Sequence, residues 1–184
     1  MIIRLRPDYS ESELQEIYAR PNDYTNWDYH VHRVNLTISL GLQFFRKNEG
    51  VVVDLSAGAR PDIAYAFSDS PVLGDYSYRD GYHYHGKIED AIKNVGSPLV
   101  DLFILSETIE HVSEPVRLLE EIRARSKKLI LSTPDGEIDS SKHEHYWGWD
   151  VEGMREILQS SGWRPLIVTT MDMSGIKTQI WVCE

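Results

Sequence analysis

Four short apolar runs, separated by helical or loop-like stretches, constrain this chain more than any other feature. The first, Val51-Val52-Val53-Asp54-Leu55, is β-branched and bounded by Asn48-Glu49-Gly50 before and Ser56-Ala57-Gly58 after, so it reads as a strand buried on both faces. Pro71-Val72-Leu73-Gly74, Leu99 to Leu105 and Lys128 to Ser132 repeat the pattern. Strands alternating with helices imply a mostly parallel sheet. The helices are punctuated to match. Ser10 stands three residues before Glu13, a capping-box spacing, and Leu14, Ile17 and Tyr18 share a face, which predicts a helix over 11–19. Pro21, Asn22 and Asp23 break it, and Val31, Val34, Ile38, Leu42 and Phe45 then recur at threes and fours, predicting a second helix over 28–46. After the third run Ser113 is placed to cap, Pro115 sits in the first turn, and Val116, Leu118, Leu119 and Ile122 form the apolar face. Asp150 caps a last helix lined by Val151, Met154, Ile157 and Leu158, with Gly162 where a left-handed terminator belongs. Leu166 to Met171 and Lys177 to Cys183, flanking Asp172-Met173-Ser174-Gly175, predict a closing hairpin. With 184 residues, no internal repeat and no low-complexity tract, the chain reads as a single α/β domain.

A strand followed by a turn of small residues and a helix start places backbone N–H groups at the carboxyl end of a parallel sheet, facing a ligand. Asp54 to Arg60 has that form: Ser56, Ala57, Gly58 and Ala59 allow close approach, and Asp54 supplies a carboxylate suited to a cationic amine. Seventeen residues after Gly58, the second run ends in Asp75, an acid placed to hydrogen-bond ribose hydroxyls. Tyr76 beside it offers a ring on which an adenine can stack.

On VVVDLSAGA, VDLFILSETIEHVSEPVRLLEEI, LILSTPDG and WDVEGMREILQSSGWRPL, the chain resembles the class I S-adenosylmethionine-dependent methyltransferases over about residues 50 to 184. The resemblance implies a Rossmann-like sheet with an antiparallel last strand and S-adenosylmethionine as cofactor. It assigns residues 1–49 to an N-terminal helical cap and 50–184 to the core. It implies that Asp54, Ser56, Ala57 and Gly58 hold the methionine end, Asp75 the ribose, and Tyr76 with Lys87 and Ile88 the adenine. Ser106 and Glu107 match positions lining the methionine end, and His111 matches the histidine of a Glu-His turn. Ser56 and Arg60 stand where the family usually has glycine, and Lys87 where it commonly has an acid. Only Tyr76 to Gly81 separate the second run from Tyr82-His83-Tyr84-His85, fewer than the roughly dozen residues of a parallel crossover. Residues 82–85 are therefore expected as an antiparallel or irregular edge, in a pared-down member of the fold.

Two aromatic and histidine clusters remain. Tyr24, Trp27, Tyr29, His30, His32 and Arg33 precede the core where a lid or substrate wall fits, with Arg33 able to meet a carboxylate. His143-Glu144-His145-Tyr146-Trp147-Gly148-Trp149 follows the fourth run and suits a planar or sugar-like acceptor. Methyl transfer requires alignment and, for a hydroxyl or amine acceptor, removal of a proton, and His111 and His145 are the candidate bases. No metal is expected, because His143, His145 and His83 or His85 lack a ligand spacing of their own. A formal net charge of −10 disfavours a broad grip on nucleic-acid phosphates, and a small-molecule oxygen or nitrogen acceptor is the expected substrate. A lone cysteine, Cys183, and the lack of any long apolar run or leader predict a cytoplasmic protein with no membrane partner. The alternative is a non-catalytic methyltransferase-like partner subunit, and a homo-oligomer stays open. A nicotinamide enzyme would need G-x-G-x-x-G, which SAGARP does not supply.

Overall fold

The computed structural model describes residues 1–19, 26–95, 99–139 and 144–184. Tyr24, His143 and the Pro21-Asn22-Asp23 break lie outside the described residues. In chain order the first elements are β1 (Ile2–Arg4), α1 (Glu11–Tyr18), α2 (Asp28–Gly41), β2 (Val52–Asp54), α3 (Asp62–Phe67), β3 (Val72–Asp75) and β4 (Tyr84–His85). Then come α4 (Ile88–Asn94), β5 (Leu102–Ser106), a 3₁₀ turn at Ile109–His111, α5 (Pro115–Arg123) and β6 (Leu129–Pro134). The chain closes with β7 (Trp147–Trp149), α6 (Val151–Ser160), β8 (Pro165–Met173) and β9 (Ile176–Cys183).

Seven strands form the central sheet in the order β4-β3-β2-β5-β6-β9-β8. The first five run parallel, and β9 and then β8 add antiparallel beside β6. Side chains alternate across the sheet, so each strand feeds two cores. Val53, Phe103, Leu105, Leu129, Leu131 and Trp181 pack with Ile92, Leu118, Leu119, Ile122, Met154 and Leu158 of α4, α5 and α6. On the other face Val52, Leu102, Ile104, Ile130 and Val182 pack with Val34 and Leu40 of α2 and Ile63, Ala64 and Phe67 of α3. Double coverage explains the uninterrupted apolar runs of the sequence. It leaves the parallel strands ending at Asp54, Asp75 and Ser106 along one edge.

Several boundaries differ from expectation. The second helix stops at Gly41 rather than residue 46, where a Cβ would press on Ile130 and Phe67. The chain then turns so that Phe45 packs edge-on against Phe67, and Lys128 donates to the Phe44 carbonyl. Ser113 does not cap α5: Glu114 is the cap residue without a side-chain bond, Pro115 takes the first turn, and the Ser113 carbonyl accepts from Arg4. Residues 84 and 85 are not an antiparallel or irregular edge. They pair in parallel with Gly74 and Asp75. A strand of two residues requires the chain to retrace so little length that the short loop after Asp75 suffices in place of a helix. The N-terminal segment is not wholly helical, because β1 pairs antiparallel with β7, Ile2 opposite Trp149 and Arg4 opposite Trp147. Asp150 does cap α6, accepting from the Gly153 amide, and the hairpin turns through Ser174 and Gly175, both left-handed as a two-residue hairpin loop requires.

Candidate active site

The first turn is built around two acids. Asp54 ends β2 almost fully buried, and its Oδ1 accepts from the Ser56 amide at 3.1 Å. Burial pushes its carboxyl up to about 7, and the charge of Asp75 pushes the same way. Asp75 ends β3 and ties the strands together: Oδ2 accepts from the Gly58 amide at 2.8 Å and Oδ1 from the Ser77 amide at 2.9 Å. Gly58 has φ of 65° and faces open space, while its carbonyl accepts from the Tyr82 hydroxyl at 2.8 Å. The Arg60 side chain leaves the turn to pair with Asp62 at 3.2 Å, so the cation does not crowd the loop. Ser56 Oγ is buried without a hydrogen-bond partner among the described residues.

Beyond Asp75 the wall is aromatic and bridged by α1. Tyr76 packs on Tyr18 with ring centres 4.6 Å apart and donates from its hydroxyl to Glu11 at 3.2 Å. Lys87 pairs with the same carboxylate at 2.7 Å, and Ile88 is buried beneath it. The lysine that stands in place of an acid is thus answered by an acid on α1.

At the end of β5, Ser106 and the serine of β6, Ser132, both accept from Arg33, with Arg33 Nη1 to Ser132 Oγ at 3.2 Å. Arg33 is buried, and Glu107 Oε1 lies 4.0 Å from its Nε. Glu107 takes a left-handed φ of 49°, unusual for a residue with a side chain, and its Oε1 is buried without a hydrogen-bond partner among the described residues.

His111 and His145 converge although they are far apart in sequence. The Tyr146 amide donates to the Glu110 carbonyl at 2.7 Å and the Trp147 indole to the Val112 carbonyl at 3.0 Å, seating the start of β7 on the 3₁₀ turn. The two imidazoles meet edge to face with centres 4.8 Å apart. His111 Nδ1–H donates to the Glu144 carbonyl at 3.0 Å, and His145 Nδ1–H donates to Glu137 Oε2 at 2.6 Å. Burial, reinforced by the neighbouring imidazole, pulls His111 down to about 3 and keeps it neutral. Burial also acts against a charged His145. The bond to Glu137 and the charges of Glu110, Glu137 and Glu107 outweigh it, so its net shift is upward. Glu110 is buried and accepts from the Thr133 hydroxyl at 3.0 Å; burial and then the charge of Glu107 raise its carboxyl.

All twelve residues singled out from the sequence line one cleft of about 850 Å³: Asp54, Ser56, Ala57, Gly58, Asp75, Tyr76, Lys87, Ile88, Ser106, Glu107, His111 and His145. Trp27, Tyr29, His30 and Arg33 join them from the first aromatic cluster, and Glu144 and Tyr146 from the second. Trp149 packs in the core instead, and His83 and His85 sit at the β4 edge, where His83 Nδ1 accepts from the Leu73 amide. Glu11 and Glu137 are not picked out by the sequence, and Glu110 enters it only as the glutamate of the Glu-His turn, with no role assigned. The spacing Glu107-x-x-Glu110-His111 was the available signal for Glu110, whereas Glu137 enters only through tertiary contact.

No protein-family model matches the chain, and no curated protein matches it in sequence. Solved structures match it in fold. A Burkholderia thailandensis 1,6-didemethyltoxoflavin-N1-methyltransferase, bound to 1,6-didemethyltoxoflavin and S-adenosylhomocysteine, superposes with a TM-score of 0.70 at 13% identity, covering 99% of this chain and 93% of that one. The N-methyltransferase NodS of Bradyrhizobium japonicum, in complex with S-adenosylhomocysteine, gives 0.68 at 9% identity over 93% and 96% of the two chains. The magnesium protoporphyrin IX methyltransferase of Synechocystis, with bound S-adenosylhomocysteine, gives 0.61 at 11% identity over 94% and 92%. With its parallel strands, its antiparallel closing hairpin and its cleft at the strand ends, the chain has the fold of the class I S-adenosylmethionine-dependent methyltransferases.

Proposed function

We propose that this protein transfers the methyl group of S-adenosylmethionine to an oxygen or nitrogen of a small-molecule acceptor. The observation that carries this reading is the convergence, in one cleft, of the Asp54–Gly58 turn, the Asp75 carboxylate and the His111–His145 pair. The cleft suits the cofactor chemically: Ser56 Oγ and Glu107 Oε1 are buried without a hydrogen bond among the described residues, Glu107 Oε1 lying 4.0 Å from Arg33, and Gly58 opens the backbone to a ligand. Bound there, the cofactor supplies a sulfonium-activated methyl group.

Asp54 and the turn after it would hold the methionine amine, Asp75 the ribose, and Tyr76, Lys87 and Ile88 the adenine. Arg33, fixed by Ser106 and Ser132 and 4.0 Å from Glu107, would meet a carboxylate of the bound ligand. His111 is neutral, with Nδ1–H spent on the Glu144 carbonyl and Nε2 3.7 Å from Glu110 Oε1, so the imidazole pair marks where an acceptor's proton would leave. The molecules named for two fold neighbours, 1,6-didemethyltoxoflavin and magnesium protoporphyrin IX, support a small-molecule substrate. Calorimetric titration with S-adenosylmethionine, S-adenosylhomocysteine and NAD tests the proposal. Micromolar binding of the first two and none of NAD is expected; a folded protein that binds none of them would put the partner-subunit role first.

A further inference from the structure

We propose that Glu110, His111 and His145 bind a divalent first-row transition-metal ion inside the cleft. One ligand atom from each lies within 4.8 Å of the others. Metal bonds of about 2.0–2.2 Å set neighbouring ligands about 3.4 Å apart, a gap that modest side-chain rotation closes. The ring nitrogens are already sorted for ligation. Both Nδ1–H groups are spent on acceptors, the Glu144 carbonyl and the Glu137 carboxylate, which fixes the tautomer that leaves each Nε2 with a lone pair. His111 Nε2 stands 3.7 Å from Glu110 Oε1.

Charge points the same way. Glu107, Glu110 and Glu137 gather about two imidazoles; Glu137 Oε1 is buried without a hydrogen-bond partner among the described residues, and Glu107 Oε1, likewise without a hydrogen bond, has the single Arg33 guanidinium 4.0 Å away. A divalent cation resolves this concentration of buried carboxylate better than either imidazole can alone. Two nitrogens and a carboxylate oxygen favour Mn²⁺, Fe²⁺, Co²⁺ or Zn²⁺ over Mg²⁺ and Ca²⁺. Three protein ligands leave coordination positions open, the mark of a site that takes a substrate.

This deepens the methyl-transfer reading and rests on it for the chemistry. The two Nε2 atoms become ligands rather than bases, and the acceptor is a hydroxylated molecule whose metal-bound O–H releases its proton to solvent, leaving the oxygen as nucleophile.

Chelator-stripped protein would be titrated with Mn²⁺, Co²⁺ and Zn²⁺, with Mg²⁺ as control, and separately with S-adenosylhomocysteine. One transition ion per chain is expected, with two imidazole nitrogens coupled to bound Mn²⁺ in pulsed electron paramagnetic resonance. His111→Ala and His145→Ala should lose this binding and Glu137→Gln weaken it about 10- to 100-fold, with S-adenosylhomocysteine affinity held within about twofold. The resonance spectrum of the unmutated protein keeps the test independent of whether any variant folds. No ion bound by folded, S-adenosylhomocysteine-binding protein, or ion binding that survives both histidine variants, overturns the metal site. Metal binding without S-adenosylhomocysteine binding overturns the methyl-transfer reading instead.

Discussion

Asp54 and Asp75 look alike in the sequence, each an acid ending a strand, yet the fold gives them different work. Asp54 is buried, which lifts its carboxyl to about 7, whereas an unfolded aspartate ionises near its ordinary value of 3.8. Between those values the unfolded chain releases a proton that the native chain retains, so native stability falls as pH rises and levels off above the folded value. The full effect is about 4 kcal/mol. Urea unfolding of ligand-free protein across this range should show the decline, and Asp54→Asn should flatten it. Asp75 instead accepts two backbone amides, from Gly58 and Ser77. From sequence, removing it is expected to spare the fold. In the structure it ties the glycine turn to β3, so Asp75→Ala should lower stability by about 1–3 kcal/mol as well as weaken S-adenosylhomocysteine binding. Asp75→Asn, which keeps one acceptor, should recover part of the stability in a thermal melt.

At the scale of elements, what the sequence disclosed follows from how much of an element's pairing is local. The runs at β2, β5 and β6 are legible because burial on both faces leaves an unbroken apolar signature. Strands β1 and β4 are not, since two or three residues carry no periodicity and the partner of β1 lies at the far end of the chain. The same limit hid how the histidines meet: the sequence named both His111 and His145, but their approach rests on the Tyr146 and Trp147 bonds to the 3₁₀ turn, and Glu137 joins them through its bond to His145. Gly148 is the tight point of the β1–β7 ribbon, where a Cβ would collide with the Glu137 carbonyl. Gly148→Ala should therefore displace Glu137 and reduce methyl transfer at least tenfold, an effect of about 1.4 kcal/mol on the barrier. S-adenosylhomocysteine affinity, set by the turn on the other side of the cleft, should change little. Equal loss of both would mean the ribbon supports the whole cleft rather than its histidine end.

Across the whole molecule, the only thiol sits where no reagent can reach it. Cys183 is fully buried on β9, between Leu129 of β6 and Pro165 of β8, and burial raises its thiol to about 12. Paired backbone bonds between Arg164 and Glu184 hold that end of the hairpin shut. Opening the strand far enough to expose the sulfur breaks into the core that α5 and α6 share with the sheet. Labelling by a thiol reagent should accordingly track global unfolding, with a rate that follows the urea-derived stability rather than local motion. A ligand that binds only the native state slows that clock by the factor 1 + [L]/Kd. The buried cysteine thus doubles as a built-in affinity meter, able to rank cofactor, product, metal ion and trial acceptors on one chain without a radiolabel or a known reaction.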